Sequence, residues 1–176
     1  MKKIVSLLLL LTSFTGFAQE RQVQIELNDS TRLVLVQAPF DATGKDIVYW
    51  NESKDAISSI DGMPVYGTDA TMPQNVLQSA TLFMGDKKYA LDVSGMYDPL
   101  YRDPEVTPQF VLNKFMGNPA RLRGGLGIAA GHYYVEWTIT GDRSFRTILT
   151  YDWEFLCDEE TFLRQQGPVD KRGIPE

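Results

Sequence analysis

The sequence predicts an all-β, mainly antiparallel fold. It is expected to be a single-domain sandwich or partly open barrel of about eight strands with a short C-terminal helix. Three observations carry this. Apolar residues recur with a period of two along most of the chain, as they do in half-buried strands. Turn-forming Asn, Asp, Gly and Pro clusters interrupt them at intervals of roughly ten residues. There is no internal repeat and no linker that divides two domains, so residues 19–167 are read as one β-rich unit.

The N-terminus is the exception to the strand pattern. Lys2 and Lys3 precede an apolar run, Ile4 to Leu11, broken only by Ser6, and Gly16-Phe17-Ala18 supplies small residues for signal peptidase. Residues 1–18 are therefore expected to be a signal peptide cleaved before Gln19, the run being shorter than the ~20 residues a spanning helix needs. No cysteine directly follows the run, so no lipid-attachment site of the bacterial lipoprotein type is expected, and no later segment is apolar enough to span a membrane. The mature chain is expected to be soluble and periplasmic or secreted. Losing Lys2 and Lys3 takes the formal net charge from −6 to −8. That charge repels nucleic acid and anionic membranes and suits a basic protein partner.

The first strand pair follows at once. Val23, Ile25 and Leu27 alternate with polar residues, Asn28 to Thr31 form a turn, and Arg32 to Val36 is apolar on both faces, as in a central strand. A two-residue turn at Asp29-Ser30 sets Ile25 opposite Val34 and Val23 opposite Val36. Ile47 to Trp50 is a short strand, and Asn51 to Gln78 reads as loops with a brief strand at Pro64 to Tyr66. A second hairpin runs from Ala80 to Val93; a turn centred on Asp86-Lys87 pairs Met84 with Tyr89 and Leu82 with Leu91.

Gly95 to Pro108 is a tyrosine- and acid-rich loop. Tyr97, Asp98, Tyr101 and Arg102 within it are the candidate binding residues, because Tyr and Arg are frequent interface anchors. Phe110 to Phe115 fits strand or helix, and Arg121 to Ala130 reads as a glycine-broken or bulged edge strand. The last hairpin has Tyr133, Val135, Trp137 and Ile139 on one face. A three-residue loop, Asp142 to Ser144, matches them to Phe145, Leu149, Tyr151 and Trp153 on the other strand. Asp158-Glu159-Glu160 opens the short helix, Gly167 ends it, and residues 168–176 read as a disordered tail.

His132 is the single histidine and Cys157 the single cysteine. The three-residue loop places His132 opposite Glu154, and the pair is read as structural. Catalysis lacks a nucleophile, since there is no Gly-x-Ser-x-Gly elbow, and Cys157 reads as a small buried residue. One histidine and one cysteine do not make a usual zinc site. Asp98, Asp103 and Glu105, or Asp61 and Asp69, offer oxygens for calcium, but their spacing is not that of an EF-hand, so no metal and no cofactor is assigned. Arg121 to Gly127 resembles a phosphate loop only superficially, lacking Gly-Lys-Ser/Thr.

The expected function is therefore that of an exported, non-enzymatic binding protein, in the form of a periplasmic inhibitor or immunity-type module. One alternative is a carrier of a small apolar ligand, with Trp50, Trp137 and Trp153 lining a cavity. The other is a hydrolase using Glu136, Asp152 and Glu154 as paired carboxylates.

Overall fold

A computed structural model describes residues 20–101, 109–114, 119–127 and 129–152. They form eleven strands in three antiparallel sheets, with one 3-10 turn at Ala129–Gly131 and no α-helix. The helix expected from Asp158, the signal peptide, the tail, Arg102, Glu154 and Cys157 lie outside the described residues. No helix among the described residues is long and apolar enough to cross a membrane.

The first sheet contains β1 (Arg21–Asn28), β2 (Thr31–Pro39), β6 (Asn75–Met84) and β7 (Lys87–Leu91), in the order β1-β2-β6-β7. The second contains β8 (Phe110–Asn113), β9 (Ala120–Leu126), β10 (Tyr133–Thr140) and β11 (Arg143–Thr150), in the order β11-β10-β9-β8. A small third sheet, β3-β4-β5, is made by Ile47–Tyr49, Ile57–Ile60 and Met63–Pro64.

The two large sheets share one core. Leu33, Leu35, Leu82 and Leu91 from the first meet Leu122, Leu126, Tyr133, Val135 and Trp137 from the second. Burying each such side chain contributes roughly 1.5–3 kcal/mol, which is why the period-two pattern is the strongest signal in the chain. The third sheet packs around its own cluster of Ile57, Ile60, Val65 and Tyr97.

β2 is a central strand, as its doubly apolar pattern predicts, but the register beside it differs by one residue. Ile25 faces Leu33 and Val23 faces Leu35, because a β-bulge at Leu27 absorbs one residue between Glu26 and Asn28. Asn28 Oδ1 accepts the Ser30 amide at 3.1 Å and fixes the expected Asp29-Ser30 turn. In the second hairpin the turn is Gly85-Asp86, with Gly85 at φ +57°, so Leu82 pairs with Tyr89 and Ala80 with Leu91. The expected turn at Asp86-Lys87 is thus tightened, while the apolar faces are kept together.

The third hairpin departs furthest from expectation. Its turn is the two-residue Gly141-Asp142, and a bulge at Thr147 sets Trp137 opposite Arg146 and Val135 opposite Leu149. Tyr134 therefore pairs with Thr150, where the expected three-residue loop would set it opposite Asp152. Upstream of the bulge Phe145 is turned outward and half exposed. Ser144 and Arg146 take the inward positions and reach the edge of the other sheet. Ser144 Oγ donates to the Ala90 carbonyl, and Arg146 donates to Ser94 O and approaches Asp92 Oδ2 at 3.3 Å. The phenol of Tyr89 donates to Gly141 O at 3.2 Å. A polar seam thus joins β7 to β11, built from residues that the alternating pattern alone would place on the solvent face.

Two further corrections concern edges and loops. β9 is not an edge, since it pairs with β10 on one side and β8 on the other. Its Gly124 lies under the Phe110 ring, where any Cβ would collide. Residues 57–64 are not loop but the hairpin β4–β5, turned by Asp61 (φ +51°) and Gly62 (φ +76°), the two positive angles a type I′ turn requires.

Candidate functional site

A cleft of about 500 Å³ opens where the third sheet meets the C-terminal end of β11. Its aromatic walls are Trp50, Tyr66 and Tyr151, its polar groups include Thr68, Asp69 and His132, and Ile57, Pro64 and Val65 complete the apolar lining. The volume lies within the range typical of ligand-binding clefts, ~300–1,000 Å³.

Each wall is positioned by local structure. Trp50 follows β3, and its amide donates to Ala56 O at 2.8 Å, across the loop that returns to β4. Trp50 is 73% exposed, the most exposed large apolar residue among the described residues. Tyr66 is held by a short parallel bridge to Met96: its amide donates to Gly95 O at 2.9 Å, and its carbonyl accepts from Tyr97 at 2.7 Å. Gly67 then crosses so close to the Tyr97 carbonyl, at φ +105°, that no Cβ fits there. Tyr151 locks the far wall. Its phenol donates to Val65 O at 2.7 Å and accepts the Gly67 amide at 3.2 Å, and its ring stacks on Tyr66 at 4.7 Å.

Tyr66 also contacts Tyr133, with ring centroids 6.3 Å apart, so an aromatic ladder runs from the cleft into the main core. Burial raises the proton affinity of this group. Tyr133, completely enclosed, is pushed well above the usual phenol range, and half-buried Tyr151 is raised as well. Tyr101, against which the Arg21 guanidinium rests at 5.4 Å, is pushed up to about 12, with burial outweighing the Arg21 charge.

A phenol with a raised folded pKa stabilises the fold fully below its unfolded value, about 10, and that stability disappears as pH rises through the folded value. The protein is therefore expected to lose stability progressively as pH rises from about 10 to about 12. The Tyr133 hydroxyl has no hydrogen-bond partner among the described residues. Tyr133→Phe should thus raise stability by about 1 kcal/mol at neutral pH and move the alkaline transition upward. Circular dichroism across an alkaline titration, compared with urea melts at pH 7, measures both effects.

The sequence-predicted residues fall in different places. Tyr97 is buried in the small cluster, edge-on to Phe40 at 5.5 Å, and its role is packing. Asp98, in the left-handed region at φ +39°, accepts the amides of Gln74 at 3.0 Å and Asn75 at 2.7 Å and so organises the start of β6. Tyr101 packs beside the main core. The loop therefore supplies structural residues among those described, and Tyr97, Asp98 and Tyr101 do not line the cleft. His132 does, while Glu154 lies outside the described residues.

Of the carboxylates considered for catalysis or calcium, Asp103, Glu105 and Glu154 lie outside the described residues. Asp61 is paired with Lys45 at 2.7 Å. Glu136 is buried on the outer side of β10 between Arg123 Nε, at 2.6 Å, and the Thr147 hydroxyl, at 2.8 Å. Asp69 lines the cleft, and Asp61 and Asp98, the other calcium candidates among the described residues, do not.

Sequence singled out Trp50 only as a cavity-lining residue of the carrier alternative, and did not single out Tyr66 or Tyr151 as binding residues. The Asp61-Gly62 turn signal was present and would have revealed the β4–β5 hairpin that forms one wall. No local signal brings Tyr151 to it.

Compared with protein-family models, with curated proteins and with solved structures, the chain shows no match in any of the three.

Proposed function

We propose that the chain is an exported, non-enzymatic binding protein whose two large sheets form a sandwich, and that the cleft is its recognition surface for a protein partner. An inhibitor or immunity-type module is the form this takes. One observation carries the reading: Trp50 stands 73% exposed at a cleft otherwise built from well-held residues. Exposed tryptophan over a preformed pocket is characteristic of binding hot spots, where it gains most from desolvation on contact. Val48 and Met63, also exposed, lie on the same small sheet and extend the apolar surface.

The carrier reading needs ligand space between the large sheets. That interior is occupied by Leu33, Leu35, Leu82, Leu122 and Trp137. The hydrolase reading needs available carboxylates, yet Glu136 is held by Arg123 and Thr147.

Capture from envelope and culture fractions on immobilised protein tests the proposal, with Trp50→Ala as the comparison. A partner retained by the wild type and lost with the variant is the expected result. The melting temperature should stay unchanged, because an exposed side chain contributes within about 0.5 kcal/mol. Equal retention by both proteins, or a solvent-extractable small molecule copurifying with the chain, would overturn it.

A further inference from the structure

We infer that the cleft seats a cationic side chain of the partner, arginine in preference to lysine; this rests on the protein-binding reading above. Three observations converge on it. The walls include three electron-rich rings, Trp50, Tyr66 and Tyr151, of which the last two are stacked on each other at 4.7 Å. Such rings attract a cation through their quadrupoles, tryptophan most strongly. Among the described residues the lining contains a carboxylate, Asp69, and neither lysine nor arginine. A cation entering therefore meets attraction without repulsion from a fixed basic group of the wall.

Charge complementarity extends beyond the cleft. The whole chain carries a formal charge of −6, which favours approach by a basic partner. The Asp69 charge is felt at the Tyr151 hydroxyl, so acid and aromatic wall act on the same space. Arginine is preferred because its planar guanidinium stacks on aromatic faces while donating to a carboxylate, whereas an ammonium is a strongly hydrated point charge. A cleft of about 500 Å³ is larger than one guanidinium and has room for the side chain together with its flanking peptide.

The test uses purified full-length protein and short arginine-containing peptides, with peptides carrying the neutral isostere citrulline at the same positions. Binding is measured by isothermal titration. The arginine peptide is expected to bind about tenfold more tightly than its citrulline counterpart, and Trp50→Ala and Asp69→Asn each to weaken it about tenfold. Asp142→Asn removes the same charge from the Gly141-Asp142 turn, at the other end of β11 and about 25 Å away along the strand. It should change affinity by less than about twofold.

Equal weakening by Asp142→Asn and Asp69→Asn would overturn the inference, because the attraction would then be diffuse acidity. Equal, Trp50-dependent binding of both peptides would also overturn it, while leaving the cleft as a protein-binding surface. Binding of either peptide that ignores Trp50→Ala, or no binding at all, would overturn both.

Discussion

Trp137→Ala is expected to cost about 3–5 kcal/mol, the range for emptying a large aromatic site in a core that cannot collapse around it. Trp137 is completely buried at the centre of β10, between the two large sheets. Its indole N–H also donates to Asp92 O at 2.8 Å, beyond the end of β7. The substitution therefore removes both the largest side chain of the shared core and a hydrogen bond between the sheets. Domains of this size are stable by only about 5–15 kcal/mol, so roughly a fifth or more of the total would be lost. Trp137→Phe separates the two contributions. It keeps most of the volume and should cost markedly less than the alanine variant, the remainder reporting the orphaned Asp92 carbonyl. Urea midpoints for the three proteins measure this, and a cost under 1 kcal/mol for Trp137→Ala would mean that the sheets do not pack through this residue.

The second large effect is expected at Glu136. Its carboxylate is buried, with Arg123 Nε at 2.6 Å and the Thr147 hydroxyl at 2.8 Å, and Arg121 stands further out at 3.9 Å. Removing one member of a buried ion pair leaves the remaining charge less well compensated, so Glu136→Ala should destabilise by about 3–5 kcal/mol. The pair need not be a net source of stability. Taking both charges out of water costs nearly what their attraction returns, so the double variant Glu136→Leu/Arg123→Met should recover most of the loss. A double variant as unstable as Glu136→Ala would show that the carboxylate acts mainly through Thr147. That hydroxyl belongs to the bulge residue of β11, so the contact would then be what holds the bulge.

How much of this was legible beforehand differs from element to element. The Asn28 to Thr31 turn, the doubly apolar β2 and the aromatic face of β10 were all readable, because each depends on residues within one strand or turn. Registers were not. At Leu27 and at Thr147 a bulge moves the ladder by one residue, and on the turn side of Thr147 it sets Trp137 and Ile139 opposite Arg146 and Ser144. A pattern with period two constrains parity and does not specify the number of residues that a bulge absorbs. The inward Arg146 is instructive: an arginine on a core-facing position reads as an error until the polar edge of β7 is placed beside it.

The candidate site was less legible than the fold. Trp50, Tyr66 and Tyr151 are far apart in sequence, and each alone is indistinguishable from a core aromatic. Tyr97 illustrates the converse: its loop has the composition of an interface, yet the side chain fills the small sheet's core.

Sequence by itself determined that the chain is built from antiparallel strands, because hydrophobic period and turn chemistry are local properties written within a few residues. It also determined the chain's net negative charge. The tertiary structure alone decided which sheet each hairpin joined, where the bulges fell and which aromatics were left facing solvent. These depend on contacts between residues tens of positions apart, such as Tyr151 with Val65 or Arg146 with Ser94. Their free energy exists only once the sheets have met.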